Sequence, residues 1–339
     1  MTLINEVEIL LKSNNIWNNN FQIRQNRNIR GQSFSYFIYD NMDKPKYIAK
    51  FFDYLKDVII PDSINIEDCK NAEELVERLA DADDFIGDIE MTSDLLYYHK
   101  RSFMRYVQVC KEEDTGFPKI FAIDENIKNG QRFYGLLIEE AINGTTLEEY
   151  LKSSNLLEAK DDFAIDFLWN MSLIIEKFVK FGIVHRDISP DNIMISESEF
   201  IVIDPGMVKI IGRNTTELGY IMGKRNYASP EQYYGHAVNA NFTSDLYSIG
   251  LITFEIVTDI NPLKLYIDKN SIKPHEDLLN KYDRELEDIF FANIDDSERN
   301  HQLFIIIYKL LQVEKTYRFD SIVSLQEAIK VLKGGCIDD

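Results

Sequence analysis

The stretch His185-Arg186-Asp187-Ile188-Ser189-Pro190-Asp191-Asn192 decides the fold of this chain. It follows a helix-patterned run, Asp162–Phe181, and Pro190 keeps any helix from continuing through it. It places a carboxylate, Asp187, five residues before a side-chain amide, Asn192. Short apolar runs suited to buried strands come next, Asn192–Ile195 and Phe200–Ile203, and the second ends at Asp204. Pro205-Gly206 then forces a turn. A base and two oxygen ligands can therefore converge on one mouth.

That set of groups suits phosphoryl transfer. The reaction needs a carboxylate for the attacking hydroxyl, oxygen ligands for Mg²⁺ and a cation on the nucleotide phosphates. HRDISPDN resembles the catalytic loop H-R-D-x-x-x-x-N of the eukaryotic-type (Hanks-type) Ser/Thr protein kinase superfamily, and Asp204-Pro205-Gly206 stands in the place of its D-F-G. The resemblance implies that Asp187 is the catalytic base and that Asn192 and Asp204 hold the metal, with ATP and Mg²⁺ as the implied ligands. It also implies an α+β, two-lobed fold, with an antiparallel-sheet N-lobe carrying one long helix and a mainly helical C-lobe.

Further matches extend along most of the chain. Ser229-Pro230-Glu231 resembles the family's A-P-E, twenty-seven residues past Asp204. Asp245-Leu246-Tyr247-Ser248-Ile249-Gly250 resembles the D-x-x-S-x-G start of its long buried helix. Arg318 fits the late arginine that pairs with the A-P-E glutamate, here Glu231, in a structural role. Tyr47-Ile48-Ala49-Lys50 looks like V-A-I-K, which makes Lys50 the phosphate cation. Gly31, in NRNIRGQSFSYF, is the one glycine available for a phosphate loop, with Asn26, Arg27 and Arg30 beside it. Counting back from Gly144 puts Glu139 at the gatekeeper position and Glu140, Ala141 and Ile142 at the adenine-binding hinge.

Several positions depart from the family. Tyr106, in Phe103-Met104-Arg105-Tyr106-Val107, stands where a glutamate should pair with Lys50. A buried lysine needs a carboxylate. Three readings stay open: the pairing shifts along the helix to Glu90 or Asp94, Glu139 takes it over, or catalysis is impaired. Ser189 replaces the lysine that touches the transferring phosphate, so slower chemistry or another cation is implied. Pro205 replaces the D-F-G phenylalanine, and Lys224 replaces a threonine ahead of the A-P-E segment. Thr215 and Thr216, near Arg213, are candidate regulatory phosphosites whose phosphate would pair with Arg186.

Strand-like patterns cover Phe21–Gln25, Ser33–Asp40, Lys46–Phe52, Lys119–Ile123 and Phe133–Glu140, with a long helix at Ser93–Glu113. Helical patterns dominate afterwards, at Leu147–Leu151, Asp162–Phe181, Asp245–Val257, Ser297–Leu311 and Val323–Leu332. Phe163, Phe167, Leu173 and Phe178 read as the core face of the second of these. The organisation that follows is an N-terminal extension over residues 1–20, a kinase N-lobe over 21–141, a C-lobe over 142–335 and a tail over 336–339. Residues 53–92 form an acidic insertion with thirteen Asp and Glu against three Lys and Arg. It reads as a solvated surface holding a short amphipathic helix, Glu73–Ala80, with docking of a basic partner as the alternative.

The net charge of −20 works against nucleic acid and membrane-surface binding. Cys69, Cys110 and Cys336 form neither a disulfide framework nor a zinc motif. The start, MTLINEVEIL, lacks a signal-peptide pattern. Abundant Asn, Ile and Lys fit a bacterial source. The expectation is a cytoplasmic, bacterial protein kinase acting on Ser/Thr hydroxyls of a protein substrate. A pseudokinase acting as a binding module and a small-molecule kinase are the rival readings. The Ser229–Glu231 segment disfavours the latter.

Overall fold

A computed structural model describes residues 2–25, 33–56, 58–112, 114–153, 159–212, 223–280 and 283–334. The chain divides into two compact units, Met1–Glu113 with Phe117–Asn143, and Asp114–Gly116 with Gly144–Asp339. The architecture is α+β, with an antiparallel sheet in the first unit and mostly helices in the second.

In the first unit the strands are β1 (Gln22–Gln25), β2 (Ser33–Tyr39), β3 (Pro45–Asp53), β4 (Ile120–Asn129) and β5 (Arg132–Glu140). They form one sheet in the order β1-β2-β3-β5-β4, with every neighbouring pair antiparallel. Side chains alternate between its faces, because successive Cβ atoms of a strand point to opposite sides. Tyr47, Ala49 and Phe51 of β3 join Leu136 and Ile138 of β5 in one core, which helix α1 (Leu3–Ser13) covers with Val7, Leu10 and Leu11. The segment read as an extension thus seals one face of the sheet through an i, i+3, i+4 apolar triplet.

The other face carries Phe52, Phe133 and Leu137 and packs on helices α2 (Ala72–Ala80) and α3 (Ile89–Lys111). The residues of 53–92 are less solvated than their composition suggests. Tyr54, Leu55, Ile64, Ile66, Leu75 and Leu79 are buried in the same core as Phe103 and Tyr106 of α3. The carboxylates lie mostly outward while the intervening apolar residues face in, and a net charge summed over the segment hides that periodicity. Helix α3 begins four residues ahead of the predicted start, because the Asp88 carboxylate accepts the Met91 amide and caps it there. Gly135 of β5 is required: a Cβ on it would lie 2.5 Å from the Tyr54 hydroxyl and 2.8 Å from the Phe103 ring.

The second unit opens with β6 (Thr145–Thr146), α4 (Leu147–Lys152) and α5 (Lys160–Lys180), followed by β7 (Ile183–Val184), β8 (Ile193–Ser196), β9 (Glu199–Val202) and β10 (Lys209–Ile210). The short strands pair as β6-β8-β9 and β10-β7. Helices α6 (Pro230–Tyr233), α7 (Phe242–Thr258), α8 (Pro262–Asp268), α9 (Pro274–Asn280), α10 (Asp283–Phe291), α11 (Glu298–Leu310) and α12 (Ile322–Leu332) complete it. Helix α7 is buried along nearly its whole length and packs on α5 and α11, and α12 packs on α5. On α5 the core face runs through Ala164, Phe167, Leu168, Met171, Ile175 and Phe178, whereas Leu173 is 37% exposed. Leu173 was misplaced because it sits two positions from Met171, about 200° round the helix. Cys69 and Cys110 are buried thiols, and Cys336 lies outside the described residues. No helix among the described residues is long and apolar enough to cross a membrane.

Candidate active site

The first unit holds a lysine, a carboxylate and a phenol in mutual contact. In the β3–β5 register Ile48 faces Glu139 and Lys50 faces Leu137, so Lys50 and Glu139 are diagonal neighbours on one face of the sheet. Lys50 Nζ lies 2.7 Å from Glu139 Oε1, and the Glu139 side chain is only 2% exposed. Tyr106 of α3 donates its hydroxyl to Glu139 Oε2 at 2.6 Å and accepts from Lys50 Nζ at 2.7 Å. Its ring stacks edge-on against Phe52 at 5.5 Å, which locks the rotamer. Of the partners left open for Lys50, Glu139 is therefore the one in contact, while Glu90 and Asp94 are exposed on α3. Glu140, Ala141 and Ile142 follow directly. The Ala141 amide donates to Lys46 O at 3.2 Å, which continues the strand pairing past β5. Gly31, Asn26, Arg27 and Arg30 lie outside the described residues.

The second unit holds the stretch from His185 to Asn192 in a strained but over-determined loop. Arg186 adopts φ 66°, and Asp204 φ 60°, both left-handed and unfavourable for residues with a Cβ. Asp245, near the start of α7, holds the first of these bends by accepting the His185 and Arg186 amides, each at 2.8 Å. Burial pushes the Asp245 carboxyl up to about 7, although both amides work against that. The sequence marks Asp245 only as the start of a helix. Its hold on the loop amides is invisible without the fold. Arg186 is itself buried and donates Nε to Met207 O at 2.8 Å and a terminal nitrogen to Val208 O at 3.2 Å. It thereby fastens the loop to the segment that follows Asp204. Arg213, Thr215 and Thr216 lie outside the described residues.

His185 is fully buried, with its ring parallel to Phe178 at 6.0 Å. Burial pulls its pKa down to about 4, so at neutral pH it is an uncharged support. The amide of Asp187 points at its Nδ1 at 3.3 Å. Asp187 is held at both carboxylate oxygens. Asn192 Nδ2 donates to Oδ2 at 2.8 Å and to the Asp187 carbonyl at 3.0 Å, while the Lys224 amide donates to Oδ1 at 2.9 Å. Burial raises the Asp187 carboxyl to about 6, with the Asp204 charge adding to the rise and Lys224 opposing it. A carboxylate so placed is ionised at neutral pH yet basic enough to take a proton.

Asn192 has its N–H donors on Asp187, so the amide oxygen is what it offers a cation. Asp204 makes no hydrogen bond or ion pair among the described residues, and its charge is felt at both Asp187 and His185. Two hard oxygen donors fit Mg²⁺, which takes one or two protein ligands and completes its shell with phosphate and water. Among the described residues no group of three or more His, Cys, Asp or Glu could hold a metal ion.

The segment before α6 closes onto this loop. Gln232 Nε2 donates to Arg186 O at 2.6 Å, and Ser229 Oγ donates to Gln232 Oε1 at 2.9 Å. Glu231 and the buried Arg318 form a bidentate pair at 3.0 and 3.1 Å, and Ser244 donates to the same carboxylate at 2.6 Å. The remaining Arg318 donors go to the carbonyls of Gln312, Thr243 and Val313.

Comparison with known proteins gives the family. The family model of the protein kinase domain matches residues 93–330, which leaves Lys50 and the strands around it outside the match. The serine/threonine-protein kinase PknA of Mycobacterium tuberculosis is 32% identical over 149 residues, 43% of this chain and 34% of PknA. The probable serine/threonine-protein kinase PknB of Lactococcus lactis is 33% identical over 124 residues, 36% of this chain and 19% of that protein. Serine/threonine-protein kinase D of Synechocystis is 30% identical over 168 residues, 47% of this chain and 30% of that protein. The matched stretches thus span about a third or less of these relatives. With the model covering well over half of the chain and the loop at His185–Asn192 folded around Asp187, the chain belongs to the protein kinase domain family, in the eukaryotic-type group with these bacterial relatives.

Proposed function

We propose that this chain transfers the γ-phosphoryl group of ATP to Ser or Thr hydroxyls of a protein substrate, its own chain included. The observation that carries the reading is Asp187, a carboxylate poised near 6 and gripped at both oxygens, with Asn192 and Asp204 supplying oxygen donors around it. In this reading the two units correspond to the two lobes of the family.

Asp187 orients the attacking hydroxyl and accepts its proton. It has little other covalent work to do, because phosphoryl transfer depends chiefly on positioning and electrostatics. Asn192 and Asp204 would hold Mg²⁺, which would neutralise charge on the nucleotide phosphates. Lys50, fixed by Glu139 and Tyr106, presents its ammonium to those phosphates from β3. Glu140, Ala141 and Ile142 receive adenine through backbone groups. The Glu231–Arg318 pair is structural and supports the segment that faces a protein substrate.

Mass spectrometry after incubation with Mg²⁺-ATP and a generic basic protein tests the reading. Phosphate appears on the chain or the substrate with the wild type and is absent with Asp187→Ala. Phosphopeptides spanning residues 213–224 would add Thr215 or Thr216 as regulatory sites. No phosphate from a folded wild type that binds the nucleotide would overturn the catalytic reading.

A further inference from the structure

We propose that Lys224 supplies the cation that meets the transferring phosphoryl group beside Asp187, a role that the catalytic loop itself leaves to an uncharged Ser189. The inference deepens the proposed kinase activity and rests on it. Phosphoryl transfer spreads negative charge over the oxygens of the migrating group, so a fixed positive charge near the base lowers the barrier. Ser189 is fully buried, and its hydroxyl donates to Asp191 Oδ1 at 2.9 Å. It brings no charge to the loop.

Lys224 brings one from the other side. Its amide donates to Asp187 Oδ1 at 2.9 Å, and its Nζ donates to Ser189 Oγ at 3.0 Å and to Asp191 Oδ2. One residue therefore touches the base through its backbone and the neutral position of the loop through its ammonium. The side chain remains 39% exposed, so a ligand can reach it.

The backbone is built for this approach. Gly223, immediately before it, has φ +83°, and a Cβ there would lie 2.5 Å from Arg186 O and 3.2 Å from Gln232 Nε2. Only glycine lets the segment come so near the loop, and Gln232 then bonds the same Arg186 carbonyl. A tether to Asp191 alone would not need the amide of Lys224 on Asp187. Serine in the loop and lysine in the segment form a reciprocal exchange. The charge has changed its carrier while keeping its neighbourhood.

The test compares wild type, Lys224→Met, Lys224→Arg and the double exchange Ser189→Lys/Lys224→Thr, with full kinetics and thermal melting of each. Methionine keeps the aliphatic stem and removes only the charge. For Lys224→Met, kcat falls about 100- to 1000-fold, the range for losing one preorganised transition-state donor, while KM for ATP moves less than about threefold. Lys224→Arg and the double exchange recover kcat to within about tenfold of wild type, since either restores a cation. An active wild type with Lys224→Met kinetics unchanged would overturn the assignment and leave the kinase reading standing. A folded double exchange as inactive as Lys224→Met would overturn it too, including where Lys224→Met fails to fold. A folded wild type without any transfer would overturn both.

Discussion

Glu139→Gln is the sharpest single perturbation of the first unit, because it removes a charge and almost no volume. At 2.7 Å and an effective dielectric of about 20, the Lys50–Glu139 attraction is worth about 6 kcal/mol before desolvation. Cutting one partner of a buried pair costs about 3–5 kcal/mol. A glutamine oxygen keeps one hydrogen bond worth about 1 kcal/mol, so about 2–4 kcal/mol remains. That corresponds to a fall in Tm of roughly 3–6 °C. Displacement of the Lys50 ammonium by about 1 Å would lower kcat/KM about 100-fold. Tyr106→Phe leaves Lys50 and Glu139 facing each other and removes one hydroxyl, a loss of about 1–2 kcal/mol and less than about tenfold in rate. Steady-state phosphorylation of a basic substrate, with melting curves for both variants, checks this order. Equal, small losses in the two variants would refute Glu139 as the residue that positions Lys50.

Asp187, proposed as the base, sets a second expectation: kcat/KM falls as pH drops through about 6, where Asp187 takes up a proton, and a pH–rate profile with one acid limb near that value checks it. The stability sign is opposite. A carboxyl raised from 3.8 binds its proton more readily in the folded chain, so its destabilising contribution is relieved between pH 6 and 3.8, and denaturation of wild type beside Asp187→Asn across that window measures it. Arg318→Ala strands the Glu231 carboxylate and should cost about 3–5 kcal/mol in urea unfolding, whereas a loss below 1 kcal/mol would contradict the bidentate geometry. Leu75→Ala, in the acidic segment, should cost about 2–5 kcal/mol because the side chain is fully buried, against less than about 0.5 kcal/mol for the exposed Ile86→Ala.

How much of this was legible in the sequence depended on the range of the interaction involved. Period and capping are local, so the strands around Lys50 and the helices α5, α7, α11 and α12 could be read from the pattern. The Asn261-Pro262 pair announces α8 in the same way, since the Asn261 side chain accepts the Lys264 amide at 2.9 Å, yet the pattern reading passed over it. Helix α1 was likewise present as Val7, Leu10 and Leu11 but was assigned to an extension. The site divides along the same line. Asp187 and Asn192 lie within one loop and announce themselves. The contacts of Asp245 with His185 and of Lys224 with Asp187 span 60 and 37 residues of chain and require the fold. Glu139 stood between, reachable because the pairing of β3 with β5 puts it diagonal to Lys50.

Two of the departures from the family pattern share one physical logic. At Tyr106 and at Ser189 a hydroxyl occupies a place where a charge was expected, and in both places that hydroxyl is hydrogen-bonded to a charged side chain arriving from another element. The routes differ in what they depend on. Lys50 and Glu139 sit on adjacent strands whose ladder fixes their register, so their contact survives small movements of α3, and Tyr106 adds only a hydroxyl from that helix. Lys224 reaches the loop through Gly223 and the Gln232–Arg186 contact, so its charge is present only when the segment from 223 to 232 is docked. If Lys224 carries the charge proposed for it, the first unit holds its lysine unconditionally and the second holds its cation conditionally.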